Sequence, residues 1–263
     1  FYNYLTPAQF PGPLRNQRTV SIATLLAPYP QYGNLNQANT PGLLNRYHAL
    51  QLKVQRQFSN GFSFLAGYNF NREKTSNFFN TDDQYARRLT YLGSNNPRHR
   101  LNVSGTYELP FGRGRRLLAH GPAIVNAIFG GWSTTNLFNY NSGTFVRFGP
   151  LQVTGDPHVA NPTRTQWFNT AAFQILPAFT KRTNPWQYDG LTGPRLVNID
   201  STLSKMFQVH ERVKLEVKAE AYNLTNTFRP ADPNVTVTSS TFGQTTNQAN
   251  LGRSMQYTLR LIF

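Results

Sequence analysis

Apolar and polar residues alternate through the end of the chain, residues 253–263. Met255, Tyr257, Leu259, Leu261 and Phe263 occupy every second position, and the residues between them are mostly polar. Successive side chains of a β-strand point to opposite faces, so one face of this strand is apolar. A tilted strand of about ten residues is long enough to cross a bilayer. Strands of soluble sandwiches alternate in the same way, so this strand alone does not decide between the two classes.

Earlier segments repeat the alternation, and they are 47–58, 62–71, 100–111, 132–140, 196–208 and 212–223. Ser59, Asn60 and Gly61 form a turn signal, which predicts a hairpin with a three-residue connection. Residues 144–148 are predicted to continue the strand 132–140 after a kink at Gly143. Residues 122–129 are predicted to form a short helix, because a proline precedes them and two glycines follow.

The lengths of the connections alternate as well. Short links at 59–61 and 209–211 and a medium link at 112–129 are interleaved with long polar links at 72–98, 149–195 and 224–252. Outer-membrane barrels have short periplasmic turns and long extracellular loops, whereas a soluble sandwich gives no reason for this order. The sequence therefore predicts an all-β fold, an antiparallel transmembrane β-barrel segment of about seven or eight strands.

Aromatic residues concentrate at the ends of the predicted strands. Phe58, Phe62, Phe111, Phe207 and Phe263 fall at the short-turn ends, and a second group falls at the long-loop ends, namely Tyr68, Phe70, Phe138, Tyr140 and Tyr222. This pattern is typical of a membrane barrel, in which aromatic residues form two girdles at the membrane interfaces. The alternative is that aromatic residues favour strands generally.

Composition excludes several classes of protein. The chain of 263 residues has no cysteine, which excludes a disulfide framework and a cysteine nucleophile. Its formal net charge is +15, but the basic residues are scattered, so we expect no nucleic-acid partner. The histidines are far apart in sequence, and no spacing of catalytic or metal-ligating residues is present. We therefore expect no enzyme activity, no cofactor and no metal.

Two domains are predicted. Residues 1–46 are rich in Pro, Asn, Gln and Gly and form a loop-rich lead-in, with a short strand expected near 19–26. Residues 47–263 form the barrel segment. Residue 1 is Phe and no signal peptide is visible, so we expect a processed product or a piece of a longer protein.

Several of these segments resemble the C-terminal barrel of TonB-dependent outer-membrane receptors, in particular the large type with an N-terminal carboxypeptidase-regulatory-like domain. The segments are 47–52 (YHALQL), 58–64 (FSNGFSF), 98–101 (RHRL), 107–112 (YELPFG), 130–132 (GGW), 167–169 (WFN), 171–173 (AAF), 219–226 (AEAYNLTN) and the terminal Phe263. In order, they span nearly all of residues 47–263. The resemblance implies a receptor in the bacterial outer membrane that binds and imports a nutrient such as a siderophore, a carbohydrate or another organic ligand.

The resemblance also implies parts that this chain lacks. Such receptors have barrels of about 22 strands that are filled by an N-terminal plug. Nothing in residues 1–46 looks like a plug, so we expect the last part of a larger barrel. A closed barrel of eight strands, with residues 19–26 as the eighth, is the alternative.

The expected partners follow from this interpretation. Outer-membrane lipid and lipopolysaccharide would surround the barrel, and Arg72, Arg87, Arg88 and Arg98 could contact lipopolysaccharide phosphates. The barrel-assembly machinery would recognise the C-terminal strand through Tyr257, Leu259, Leu261 and Phe263. We also expect the missing N-terminal plug and the remaining barrel strands as partners. The energy-coupling complex would act through the missing N-terminus.

Ligand contacts should come from aromatic residues of the long loops. The candidates are Trp167, Phe168, Trp186, Tyr188 and Tyr91, which could stack on a sugar or another organic nutrient. The alternative is that these rings pack the loops against one another. Two alternative functions also remain. One is a non-transporting barrel that serves as an adhesin or anchor, and the other is a soluble basic all-β binding module.

Overall fold

The computed structural model describes residues 14, 17–26, 29–32, 45–77, 90–178 and 180–263. Its strands are β1 (Asn45–Ser59), β2 (Phe62–Asn77), β3 (Thr90–Gly93), β4 (His99–Glu108), β5 (Trp132–Asn141), β6 (Gln152–Val153), β7 (Phe173–Gln174), β8 (Leu196–Gln208), β9 (Lys214–Tyr222) and β10 (Ser254–Ile262). Its helices are α1 (Ile22–Leu25) and α2 (Ala123–Phe129). The fold is all-β with little helix, as the alternation predicts.

Seven long strands form one antiparallel sheet in the order β1-β2-β4-β5-β8-β9-β10, and β3 pairs with the end of β2. Each long strand therefore lies beside the next long strand in the sequence. Strands β6 and β7 pair separately. In the part of the chain that the structure describes, β1 and β10 are the edges of the long sheet and do not pair with each other, so the sheet is open.

The register aligns the apolar faces of neighbouring strands. Leu52 lies opposite Tyr68, Tyr68 opposite Leu101, Leu101 opposite Tyr140, and Tyr140 opposite Val197. Further along the sheet, the row of Leu203, Ala219 and Tyr257 continues the same face. Residues directly opposite each other in a sheet point to the same side. The apolar positions of seven strands thus form one continuous surface, which we call the apolar face.

The apolar face is exposed rather than packed against another layer. Side chains of β10 such as Tyr257 and Leu259 have 72% and 71% of their area exposed, and Leu50, Leu52 and Val54 of β1 are all more than half exposed. A contiguous exposed apolar surface of this kind marks an interaction with lipid or protein. Contact with a bilayer, as the sequence predicts, accounts for it.

The opposite face is mostly polar, with Leu65 and Leu137 as apolar members, and it carries ion pairs. Glu216 lies 3.1 Å from the Lys218 ammonium and 4.0 Å from the Arg260 guanidinium on the neighbouring strand. Opposite charges placed side by side on one face of a sheet are favourable neighbours. This face is the one that a barrel would enclose.

The connections fall at two ends as predicted. Segments 60–61, 109–131 and 209–213 join strands at one end, which we call the turn end, and segments 78–98, 142–195 and 223–253 join them at the other, the long-loop end. The first connection is shorter than the predicted three residues, because Ser59 pairs with Phe62. Asn60 and Gly61 have φ of 54° and 78°, which are the left-handed values that a two-residue type I′ turn requires.

Aromatic residues lie at both ends of the apolar face. Phe62 and Tyr107 pair at the turn end, with ring centroids 6.2 Å apart in an edge-on arrangement. Phe70 lies opposite His99 toward the long-loop end, with ring centroids 5.0 Å apart. These positions are the ones that two interfacial girdles would occupy.

The strand expected near 19–26 is wrong, because this segment contains the helix α1. The Ser21 hydroxyl accepts a hydrogen bond of 3.1 Å from the backbone N–H of Thr24, which caps the first turn. A serine at this position stabilises a helix start, and this local bond overrides the weak strand propensity of the apolar stretch. The closed barrel with this segment as its eighth strand is therefore wrong as well.

Residues 144–148 do not continue β5. Gly143 packs directly on the backbone of Gly193, so close that a Cβ would collide with it, and the chain leaves the sheet there. Val146 and Phe148 are then buried among loop residues. The helix predicted at 122–129 is confirmed as α2. Neither helix of the described residues is long and apolar enough to span a membrane.

The hydrophobic core of the described chain lies in the long loops. Its buried members are Val146, Phe148, Leu151, Phe168, Ala172, Phe173 and Leu191, and Val153, Trp167, Tyr188, Val235, Val237 and Phe242 pack around them. We call this group the loop core. It joins the connection 142–195 to the connection 223–253, so segments without periodicity are nevertheless fixed by packing.

Replacing Leu203 by Arg tests the orientation of the apolar face. Leu203 lies on that face near the middle of β8, where an arginine would have to enter the hydrocarbon at a cost of about 2–4 kcal/mol. The control is Thr202→Arg on the same strand, because Thr202 lies on the polar face opposite Glu220. Urea titration of folding in lipid vesicles should show a loss for Leu203→Arg only. Equal losses for both variants would refute the orientation.

Candidate functional site

A cleft of about 550 Å³ opens at the long-loop end of the sheet. It is lined by residues 71–74 of β2, by residues of the segment 93–98, by Phe145 and by residues 182–189. These segments come from three distant parts of the sequence. The sheet supplies the floor and the long loops supply the walls.

The floor is anchored by hydrogen bonds from the outer end of β2. The Asn71 amide is buried and donates to the Pro97 carbonyl at 2.8 Å. The Glu73 carboxylate accepts from Asn45 at 2.9 Å and from Asn96 at 2.6 Å. These bonds join β1, β2 and the segment that leads into β4, so the floor keeps its shape without a ligand.

One wall is joined to β3 by Gln187. Its side-chain oxygen accepts from the Gly93 N–H at 2.7 Å, and its side-chain nitrogen donates to the Gly93 carbonyl at 2.9 Å. The amide thus pairs with a backbone peptide as a neighbouring strand would. Gly93 is required here, because a Cβ at this position would lie 2.5 Å from the Phe145 ring.

Arg182 holds the other wall. Its guanidinium donates to the carbonyls of Asn184 at 2.9 Å, Gly149 at 3.1 Å and Phe148 at 3.2 Å. The same group lies 3.9 Å from the centroid of the Trp186 ring in a cation–π contact. Arg182 therefore fixes the orientation of Trp186 in the cleft.

Asn184 supports the same wall from below. Its side chain is 3% exposed, accepts from the Leu151 N–H at 2.9 Å and donates to the Gly149 carbonyl at 3.0 Å. Leu151 belongs to the loop core, so the cleft wall is attached to that core. A buried amide with both ends bonded is a rigid support.

The cleft has an excess of positive charge. Arg72, Lys74, Arg98 and Arg182 line it against the carboxylates of Glu73 and Asp189. Arg98 also lies over the Phe145 ring, 5.5 Å from its centroid. Rings beside hydrogen-bonding groups in a concave site are typical of organic-ligand sites. The arrangement suits a polar organic ligand with hydroxyl or acidic groups.

Tyr188 joins the cleft to the loop core. Its ring packs edge-on against Phe148 at 5.7 Å between centroids, and burial raises the pKa of its hydroxyl. Within the described chain, this buried hydroxyl has no hydrogen-bond partner. A buried hydroxyl without a partner has already lost its hydration free energy. A ligand group that reached it would therefore gain a hydrogen bond with little further desolvation.

The structure separates the aromatic residues that the sequence singled out. Trp186 and Tyr188 line the cleft. Phe168 is fully buried in the loop core, and Trp167 packs beside it and donates to the Thr192 carbonyl at 2.8 Å. Phe168 and Trp167 therefore pack the loops against one another, which is the alternative to ligand contact. Tyr91 lies in β3, and its side chain is outside the described residues.

The cleft depends on residues that the sequence did not indicate. Arg182, Asn184, Gln187 and Gly93 hold its walls, and they lie in segments without periodicity. Their contacts join positions far apart in the chain, so no local pattern could reveal them. Within the described ranges, no three His, Asp or Glu side chains lie close enough to hold a metal ion.

The other residues noted from the sequence lie at both ends of the sheet. Arg72 and Arg98 line the cleft, whereas Arg87 and Arg88 lie outside the described residues. Tyr257, Leu259 and Leu261 project from the apolar face of β10, and Phe263 follows the end of that strand with 94% of its area exposed. The C-terminal strand thus presents an apolar edge.

His158 ties two parts of the loop near the cleft. Its Nδ1 lies 2.6 Å from the Asp156 carboxylate, and its Nε2 lies 2.8 Å from the Asp189 carbonyl oxygen. Both partners can only accept, so the protonated ring satisfies both. The Asp156 bond and then the Asp189 bond raise the pKa of His158 above its ordinary value of 6.5. The backbone N–H of His158 lowers the pKa of Asp156 in turn.

A family model for the outer membrane beta barrel domain matches residues 2–256, which is nearly the whole chain. The chain belongs to this outer membrane beta barrel family. No curated protein and no solved structure matches it.

Membership in the outer membrane beta barrel family assigns the two ends of the sheet to the two sides of the membrane. The family implies a location in the bacterial outer membrane. The long-loop end, with the cleft and the loop core, is then extracellular, and the turn end is periplasmic. The soluble basic module considered above does not fit this family.

Replacing Phe168 by Ala should loosen the extracellular loops. Its ring is fully buried against Phe148, Phe173 and Phe242, and loss of such a ring costs about 3–5 kcal/mol. Hydrogen exchange by mass spectrometry should show faster exchange in 146–191 and unchanged exchange in the strands. Ile175→Ala, at a site 62% exposed, is the control and should change little. Unchanged loop exchange in Phe168→Ala would contradict the loop core.

The contact between His158 and Asp189 should weaken as pH rises. The raised pKa of His158 means that the imidazolium stabilises the folded loop fully below about pH 6.5, and this stabilisation is lost as pH rises through the folded pKa. A neutral ring keeps one donor and loses one of the two bonds. Exchange rates of 156–158 and 189–191, corrected for intrinsic pH dependence, should therefore rise. His158→Gln should abolish the pH dependence, and a flat wild-type profile would contradict the assignment.

Proposed function

We propose that this chain is the C-terminal barrel portion of a TonB-dependent outer-membrane receptor that binds and imports an organic nutrient. The observation that carries the proposal is the extracellular cleft, whose walls are held by Gln187, Arg182 and the loop core. A barrel that only anchored a protein would not require such a prepared concave site. In this proposal the chain has no catalytic role.

The sequence resemblance supports the receptor class within the outer membrane beta barrel family. Several quoted segments lie on strands and turns that the structure contains, including the turn at Asn60 and Gly61 and the end of β9 with Asn223. Asn223 has a positive φ of 52°, and its side chain bonds the Thr227 N–H at 2.9 Å, so it ends the strand and starts the loop. These segments therefore have clear roles in building the fold.

The open edges of the sheet support the expected additional strands. Within the described residues, β1 and β10 are the two edges of the sheet, and both carry the apolar face. Lipid does not tolerate open sheet edges, so in this proposal further strands cover them in the membrane. We propose that the rest of a larger barrel, filled by a plug, provides them, and that an energy-coupling complex drives import through the plug.

Two further partners belong to the same proposal. The barrel-assembly machinery would engage β10 through its exposed apolar residues and the terminal Phe263. Lipopolysaccharide phosphates would meet the extracellular arginines, since Arg binds phosphate with two parallel bonds. Arg72, at the outer end of β2, would take this role in the proposal.

The ligand should include a group that stacks on Trp186 and polar groups that meet the basic residues of the cleft. Oligosaccharides and acidic organic nutrients, including ferric siderophores, meet this description. Whole cells and purified protein can be screened against such compounds by uptake and by calorimetry.

Replacing Trp186 by Ala should weaken ligand binding roughly two- to tenfold, which corresponds to the loss of one stacking contact. Leu251→Ala is a suitable control, because Leu251 is an exposed loop residue outside the cleft. Equal affinities of the two variants would refute the cleft as the binding site.

Energy dependence separates a receptor from an adhesin. Collapse of the proton gradient should leave ligand binding to cells intact and abolish accumulation inside them. Binding without accumulation under any condition would exclude import and favour the non-transporting barrel.

A further inference from the structure

The periplasmic connection 109–131 is built as a folded unit rather than a loose loop. Phe111 pairs with Leu117, and the Gly112 N–H donates to the Leu117 carbonyl at 2.9 Å. The Asn126 side chain of α2 accepts from the Arg113 N–H at 2.8 Å. Gly112 and Gly130 touch so closely that a Cβ on Gly112 would lie 2.9 Å from the Gly130 Cα. These contacts hold the helix and the basic turn together as one folded unit.

This unit lies against the apolar face of the sheet. The Trp132 indole N–H donates to the Ile128 carbonyl at 2.8 Å, and the Lys205 ammonium donates to the Ala127 and Ile128 carbonyls. Trp132 and Lys205 are opposite each other on the apolar face near its periplasmic end. Free carbonyls at a helix C-terminus attract a cation, so Lys205 holds the helix end against the barrel wall.

The helix exposes apolar side chains beside that wall. Ile124 is 74% exposed, and Ile128 and Phe129 are each 54% exposed. Ile124 and Ile128 are four residues apart and share one face of the helix. The first and last turns of α2 contain no acidic or basic residue. The bonds of Trp132 and Lys205 to the end of α2 place this apolar patch beside the apolar face of the sheet.

Basic side chains adjoin the apolar patch. Arg113 and Arg116 are exposed in the turn that packs on α2, whereas Arg115 points back to an ion pair with Glu108 on the polar face. Guanidinium groups bind phosphate well, and apolar residues beside exposed cations are typical of segments that lie in a membrane interface.

We propose that the segment 109–131 is an interfacial membrane anchor, with Ile124, Ile128 and Phe129 inserted in the periplasmic leaflet and Arg113 and Arg116 on phospholipid phosphates. The inference depends on the membrane location of the family and is independent of transport. It commits to phospholipid as the occupant, because the patch adjoins the lipid-facing wall and carries complementary charge. If a periplasmic protein covers the patch instead, the patch of the purified protein stays in water, and the experiment detects this as quenching by iodide.

The absence of cysteine in the sequence makes a clean test practical. Ile128→Cys, labelled with bimane in the folded protein, is reconstituted into vesicles whose lipids carry bromine at a defined depth. We expect bromines near the glycerol level to quench this label about as strongly as a label on Leu261→Cys of β10. His210→Cys, in the short periplasmic turn 209–213, should resist lipid quenching and be quenched by aqueous iodide.

The charged half of the anchor has its own test. Addition of phosphatidylglycerol to phosphatidylcholine vesicles should increase quenching of the Ile128→Cys label by bromolipid. Replacement of Arg113 and Arg116 by Ser should remove that increase. Quenching of the Ile128→Cys label by aqueous iodide, without quenching by bromolipid, would overturn the anchor. An increase that survives in the double variant would overturn the role of the arginines.

Discussion

The antiparallel register is the constraint on which the rest of the structure depends. The apolar positions of seven strands share one face only because residues such as Leu52, Tyr68 and Leu101 lie directly opposite one another. A slip of one residue in any strand would move its apolar set to the polar face. The short turns enforce this register, as the left-handed pair Asn60 and Gly61 does between β1 and β2. The apolar face of the sheet and the floor of the cleft both depend on this register.

Because the apolar strand residues face outward, the packed core has to form elsewhere. It forms in the extracellular connections, where Phe148 and Phe168 are almost completely buried. The connections 142–195 and 223–253 pack against each other through this loop core. The cleft is attached to it through Asn184 and Tyr188, so the shape of the cleft depends on loop packing as well as on the sheet. The same outward orientation gives α2 a lipid-facing wall to rest on.

The sequence predicts the sheet well and the cleft poorly, for a physical reason. Strand alternation is local and periodic, so β8 could be located at 196–208 from the sequence, and proline and glycine mark the helix at 122–129. The segment 19–26 was predicted wrongly because the hydroxyl of Ser21 caps a helix there. The bonds of Gln187 to Gly93 join residues 94 positions apart without any repeating pattern. Such contacts can be identified only in the folded structure.

The most direct test of the account is a spin-label scan of β9, one cysteine at a time from Lys214 to Tyr222, in the membrane-inserted protein. Accessibility to oxygen, which concentrates in lipid, and to a water-soluble nickel complex should alternate with a period of two. Labels at 215, 217, 219 and 221 should favour oxygen, and labels at 216, 218 and 220 should favour nickel. A profile without alternation, or one with the two sets exchanged, would contradict the outward-facing apolar surface and with it the membrane barrel described above.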